Sequence, residues 1–241
     1  MTPSPLLSII IPAHNEEHRL SPALEQLDQF LKLQSYQAEV IVVENGSVDN
    51  TLSLAQEYAR RMPFLHVFHE EARGKGLAVK RGMLEATGEF RIFCDVDFSM
   101  PVAELNRFIP PALDADIAIA SREAPGAVRY HEPTYRHVIG RVFNTMVRVM
   151  VLPGLSDSQC GFKCFRAGVA EKLFPHQTFS GMSFDVEVLF MARKHGYSIV
   201  EVPVPWYFNA DSRVKLFEDS LHMALDLMDI RRNAHNGLYD F

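Results

Sequence analysis

"FRIFCDVDFS", residues 90–99, is the stretch on which the fold reading turns. A mostly apolar run, the pattern of a strand buried on both faces, ends in two carboxylates, Asp95 and Asp97, one residue apart. Residues two apart on extended backbone point the same way, so both can face one ligand. Like charges held this close repel unless a cation lies between them. Mg²⁺ or Mn²⁺ is held by one or two carboxylates plus phosphate oxygens, which makes a divalent ion on a diphosphate the natural occupant. The plain alternative is a polar strand end with Ser99 capping a helix. Position at the end of a fourth strand, with other polar rims around it, favours the ligand.

Working outward, short β-branched runs recur at 6–11, 39–43, 65–69 and 116–120, each separated from the next by helical periodicity. This alternation predicts βαβ units around a mainly parallel sheet, where ligands bind beyond the carboxyl ends of the strands. Residues 12–17, 44–49, 95–99 and 121–122 fall at those ends and are polar. No G-x-G-x-x-G follows a strand, which argues against a nicotinamide-dependent oxidoreductase. "ENGSVDNT" (44–51) and "RGKG" (73–76) read as ordinary loops on composition, with Ser47 or Asp49 capping the next helix.

After residue 121 the alternation stops. The segment 134–151 places Val138, Val142, Met146 and Val149 at helical spacing, with His137, Arg141, Asn144 and Arg148 on another face. A core-packing helix and a membrane-surface helix both fit that pattern. "DSQCGFKCFR" (157–166) reads as a polar loop and short strand, 183–196 as a helix closed by Gly196, and 197–206 as an edge strand ended by prolines. A last long helix carries Phe217, Leu221, Ala224 and Met228 along one stripe, expected to dock on the sheet.

The chain has 241 residues, 47% of them apolar, enough for a substantial core. A net charge of -6 argues against nucleic-acid binding, which needs a basic surface. Three cysteines, Cys94, Cys160 and Cys164, fit a reducing compartment and form neither a disulfide framework nor a zinc site. The apolar N-terminal run is far shorter than the ~20 residues a bilayer span needs, so the expectation is a soluble or peripherally attached protein.

"IIIPAHNEE", "VIVVENGSVDNT", "RGKGLAVKRGM", "FCDVDFSM", "SRE", "DSQCGFKCFR" and "SFDVEVL", in this order, resemble the family 2 glycosyltransferases. Within them the chain is most similar to the polyprenyl (dolichyl) phosphate glycosyltransferases, especially the dolichyl-phosphate β-glucosyltransferase branch. The resemblance implies one α/β domain of GT-A, Rossmann-like type over 1–241, with a mainly parallel central sheet flanked by helices. Residues 1–121 would form the nucleotide-sugar half, and 122–241 the acceptor half with its amphipathic and C-terminal helices. It implies that Pro12, Ala13, Asn15 and Glu17 line the nucleotide site, Glu44 recognises base or ribose, and Lys75 approaches the diphosphate or sugar. Asp95 would contact sugar or metal, Asp97 would be the main ligand of Mg²⁺ or Mn²⁺, and Arg122 and Arg136 would hold the acceptor phosphate. Asp157 would be an acid/base or sugar contact, Asp185 a second acidic candidate, and Arg213 and Lys215 a basic pair reaching the diphosphate as a loop closes. The chain departs from the family pattern at Glu44-Asn45, where two aspartates are usual, at Ser99 in place of an amide, and at Gly140 in place of a serine.

The implied reaction is inverting transfer of a hexose, glucose from UDP-glucose, to a polyprenyl phosphate, by a protein peripheral on the cytoplasmic membrane face. The alternatives are a GDP-mannose-dependent transferase, transfer to another glycan acceptor, and a non-catalytic nucleotide-sugar-binding module. The joint presence of Asp95, Asp97, Arg122 and Arg136 favours catalysis.

Overall fold

The structure, a computed structural model, describes residues 4–209 and 216–241, with side chains described from 222 onward in the last stretch. Arg213 lies outside the described residues, and so do Lys215 and the side chains of Phe217 and Leu221. Four strands form the parallel core: β1 (Leu7–Ala13), β2 (Ala38–Asn45), β3 (Leu65–Glu70) and β4 (Phe90–Cys94). The helices α1 (Glu17–Leu31), α2 (Thr51–Ala59) and α3 (Lys75–Glu85) connect them. The sheet continues with β5 (Ile117–Ser121), β7 (Phe162–Arg166) and β8 (Ile199–Pro203), in the order β3-β2-β1-β4-β7-β5-β8. A two-stranded sheet pairs β6 (Val128–Tyr130) with β9 (Pro205–Tyr207).

Alternation along each central strand splits the core in two. Ile9, Ile11, Val40 and Val42 face α1 and α2, whereas Ile10, Ile41 and Val43 face α3 and the second half of the chain. Gly82 lets α3 lie close to the sheet, since a Cβ there would come within 2.3 Å of Ile10. The chain reverses its winding direction between β1 and β4, so their carboxyl ends flank the crevice where open α/β sheets bind ligands.

The strand β7 runs antiparallel to both its neighbours, pairing Cys94 with Phe162 and Phe90 with Arg166. Its amino end therefore lies at the carboxyl rim of the sheet. The preceding loop, 157–161, is delivered to the place where Asp95 leaves β4.

In one helix packing decides which of two faces is covered, and in another it corrects the expected stripe. In α4 (Thr134–Met150) the buried residues are Phe143 and Val147, while Val138, Val142 and Val149 are exposed. In α7 (Leu216–His235) Leu227 and Ile230 are buried and Met228 is half exposed. Both helices carry apolar residues around much of the wheel, and the face turned to the core is fixed by mutual packing of α4, α7 and α6 (Phe184–Lys194).

Candidate active site

The first rim loops lace together through polar side chains. Asn15, at φ 54°, takes the left-handed conformation that asparagine tolerates, giving its N–H to Ser47 Oγ at 2.9 Å and accepting from Val48 N at 2.8 Å. Glu17 Oε2 accepts from Asn50 N at 3.1 Å, and Asp49 accepts from Thr51 N at 3.0 Å. Pro12 and Ala13 end β1 beside Val43 and Glu44 of β2. Glu44 is buried with both oxygens engaged, one accepting from Ser47 N and the other paired with His69 Nδ1 at 2.5 Å. It thus shapes the loop that follows β2. His69 and Arg73, which bonds His14 Nε2 at 2.7 Å, extend this rim, and neither stands out in the sequence.

At the carboxyl end of β4, Lys75 Nζ lies 2.5 Å from Asp95 Oδ1. Burial pulls the Lys75 pKa down, but the carboxylates of Asp95, Asp185 and Asp97 outweigh it, so the ammonium holds its proton more firmly than an ordinary lysine. Asp97 shows the opposite imbalance. Burial and then the Asp95 charge raise its pKa, against a hydrogen bond from Ser99 N at 3.1 Å. Two hard oxygen donors facing a cavity, one in excess negative potential, suit Mg²⁺ or Mn²⁺. Among the described residues no group of three or more His, Cys, Asp or Glu side chains forms a metal cage. Phosphate oxygens of a bound ligand would have to complete the coordination.

That pair lines a cavity of about 260 Å³. Arg122, Arg129 and Arg136, with Trp206 and Phe208, and the apolar side chains of Ile139, Phe143, Met182 and Met223 line the same space. The guanidiniums of Arg122 and Arg129 sit 5.4 and 5.7 Å from the Trp206 ring centroid, and that of Arg136 sits 5.1 Å from Phe208. Pairing of β6 with β9 sets Arg129 beside Trp206. Sequence reading missed Arg129, Trp206 and Phe208, because only that small sheet joins them to the site.

Asp157 and Asp185 do not line the cavity. Asp157 is fully buried and accepts from Arg122 Nε at 2.7 Å, Nη2 at 2.9 Å and the backbone N at 2.9 Å. Burial would raise its pKa, but the Arg122 guanidinium holds it well below the usual carboxylate range. A carboxylate committed to that fork orients Arg122 and is badly placed to shuttle a proton. Arg122 keeps Nη1 uncommitted to Asp157. Asp185, at the start of α6, pairs with Lys163 Nζ at 2.9 Å and accepts from Val186 N at 2.8 Å, so it too braces the floor of the site. The two carboxylates expected near the reacting centre are thus each held by a cationic partner, Asp157 by Arg122 and Asp185 by Lys163.

Comparison with known proteins agrees with this geometry. Residues 8–174 match glycosyl transferase family 2. The dolichyl-phosphate beta-glucosyltransferase of Drosophila melanogaster is 34% identical over 247 residues, covering 95% of this chain and 75% of the relative. That of Dictyostelium discoideum is 31% identical, covering 97% and 76%, and that of Homo sapiens 29%, covering 99% and 78%. Among solved structures, glucosyl-3-phosphoglycerate synthase from Mycobacterium tuberculosis, in complex with Mn²⁺, uridine diphosphate and glucosyl-3-phosphoglycerate, superposes with a TM-score of 0.66. It shares 17% identity and covers 94% of this chain and 78% of that one, a likeness of fold. The ordered rim loops, the carboxylate pair after β4 and these matches together assign the chain to glycosyl transferase family 2, and it belongs to that family.

Proposed function

We propose that the protein transfers glucose from UDP-glucose to the phosphate of a polyprenyl (dolichyl) phosphate, with inversion at the anomeric carbon. The observation that carries this reading is the polarity of the cavity. Asp95, Asp97 and Lys75 line it from the end of β4 and the start of α3, while Arg122, Arg129 and Arg136, with Trp206, Phe208 and an apolar wall, line it from β5, β6, α4 and β9. A nucleotide diphosphate with a divalent ion suits the first set and a lipid phosphate the second. The names of the relatives supply glucose as the sugar and dolichyl phosphate as the acceptor.

In this reading Pro12, Ala13, Asn15 and Glu17 hold the nucleoside, with Glu44 setting their loop from below. Lys75 meets the diphosphate, and Asp97 with Asp95 would hold Mg²⁺ or Mn²⁺, which when bound offsets the charge of the departing diphosphate. Arg122 and Arg136 place the acceptor phosphate, a monoester whose second pKa is about 6. It is therefore already a dianion at neutral pH. One of its oxygens attacks the anomeric carbon from the face opposite the diphosphate. The new carbon–oxygen bond forms as the bond to the diphosphate breaks and its electron pair leaves with UDP, so no proton must be removed. The protein's contribution is placement and charge, which suits a site whose buried acids are already paired.

We place this chemistry at a membrane surface on the cytoplasmic face. No helix among the described residues is long and apolar enough to cross a membrane. Helix α4 turns Ile139 and Phe143 to the cavity and exposes Tyr135, Val138, Val142 and Val149 on another face, flanked by exposed Arg141 and Arg148. That is the pattern of a helix lying in a headgroup layer, with the lipid's route to the cavity on the same helix. Three cysteines, all free and buried, fit a reducing compartment. The deciding experiment is transfer of labelled sugar to a polyprenyl phosphate from UDP-glucose and, separately, GDP-mannose, with Mn²⁺ and with EDTA. Chelator-sensitive lipid product from UDP-glucose alone is expected. Product from GDP-mannose instead overturns the donor, and nucleotide-sugar binding without any product overturns transfer.

A further inference from the structure

Lysine is almost never fully buried unless paired, and burying an ion pair rarely stabilises a fold more than apolar residues of the same volume do. Lys163, in the reversed strand β7, is nonetheless completely enclosed. Its Nζ donates to the Cys160 carbonyl at 2.7 Å and to Asp185 Oδ2 at 2.9 Å, and sits 5.3 Å from the Phe93 ring centroid. Two acceptors and a ring face account for the three N–H groups of an ammonium. Burial pushes the Cys160 thiol up to about 11, so the sulfur is no competing anion and the carbonyl is the group that Lys163 grips.

That carbonyl belongs to the Cys160–Gly161 peptide. Gly161 presses against Asp95 so closely that a Cβ there would lie 2.0 Å from Asp95 Oδ2, and Asp95 N donates to Gly161 O at 3.2 Å. The other end of the same loop is Asp157, which grips Arg122. One short loop thus touches the donor-side carboxylate and the acceptor-side arginine, with Lys163 bonded to its backbone between them.

We propose that Lys163 is a positioning residue. Through the Cys160–Gly161 peptide it fixes where Asp95 presents its carboxylate, and so sets the affinity for a divalent ion with a nucleoside diphosphate. The inference rests on the reading of Asp95 and Asp97 as the donor-side site. It differs from a purely structural role in one consequence: restoring the stability of the floor does not restore ligand affinity.

The experiment compares wild type, Lys163→Met and the double variant Lys163→Met/Asp185→Asn by thermal melting and by calorimetric titration of Mn²⁺ with UDP. The single variant leaves Asp185 buried without its cation and should melt lower. In the double variant asparagine keeps an acceptor for Val186 N and removes the stranded charge, so the melting temperature should recover. Both variants should bind Mn²⁺·UDP at least tenfold more weakly than wild type. Recovery of affinity together with melting temperature in the double variant, or wild-type affinity in either variant, overturns the inference while the donor-site reading stands. Failure of wild type itself to bind Mn²⁺·UDP overturns that reading and the inference with it.

Discussion

Replacing Gly161 by alanine tests the site through a contact that can be measured. The new Cβ would lie 2.0 Å from Asp95 Oδ2 and 2.7 Å from its Cγ. A carbon–oxygen contact settles at about 3.3 Å or more, so the groups must separate by ~1.3 Å. The backbone of Gly161 is not in the left-handed region, and alanine meets no conformational penalty there. The Gly161 side of the contact is held, because Lys163 grips the preceding carbonyl and Gly161 O accepts from Asp95 N. The carboxylate is the part that yields, turning out of its 2.5 Å pairing with Lys75. Overpacking of this kind costs ~1–3 kcal/mol, and a half-exposed side chain that can swing toward the cavity puts this case at the low end. A loss of about 1 kcal/mol lowers Tm by ~2–4 °C in a chain of this size. A misplacement near 1 Å costs about 100-fold in rate. Gly161→Ala should therefore keep its fold and lose about two orders of magnitude in kcat/KM for UDP-glucose. Gly168→Ala, with open space around the new Cβ, is the control that should change neither. Labelled-sugar transfer and thermal melting on the same preparations decide it. Wild-type kcat/KM in a folded Gly161→Ala protein would refute the claim that Asp95 must stand where it does.

Asp97→Asn should abolish metal-stimulated transfer with a Tm shift within ~1 °C, since a site at the cavity wall contributes little packing; undiminished activity removes the metal assignment. Asp157→Asn strips the charge from a fully buried partner of Arg122, and breaking such a pair costs ~3–5 kcal/mol. It should lower Tm strongly and raise the acceptor KM more than the donor KM, and an unchanged acceptor KM counts against Arg122. The folded pKa of Asp157 lies below its unfolded value, so its stabilisation is complete above the unfolded value near ~3.9 and drains away as pH falls below it. Wild-type Tm should owe nothing to this group's titration between about pH 5 and 8, and the acid-induced drop below about pH 4 should be shallower in Asp157→Asn. Val142→Asp, at a position 68% exposed on α4, should leave Tm and UDP binding alone and weaken sedimentation with phospholipid vesicles; equal sedimentation removes the membrane-facing role.

What could be read from the chain and what could not divide along physical lines. Strands β1 to β5 were legible because each is a run of apolar residues closed by polar ones, and Asp95 and Asp97 were legible because the period of a strand fixes their shared direction. Apolar runs carry no sign for strand direction, so "GFKCFR" shows a strand and hides its reversal. That reversal decides the chemistry of the site. Had β7 run parallel to β4, the loop before it would have opened at the far edge of the sheet, and Asp157 would have been a carboxylate without Arg122. A similar ambiguity left the reading of α4 open, where Val138, Val142 and Val149 make as good a stripe as Phe143 and Val147. A helical wheel records which residues are apolar, but only packing shows which of two apolar faces is covered. Lys163 illustrates the limit from the other side. Its residue type argues for solvent, and only the closure of β7 between β4 and β5 gives its ammonium two oxygens and a ring in place of water. A charge that the fold encloses at such cost acts on whatever its hydrogen bonds hold still, and here that is the peptide against which Asp95 rests.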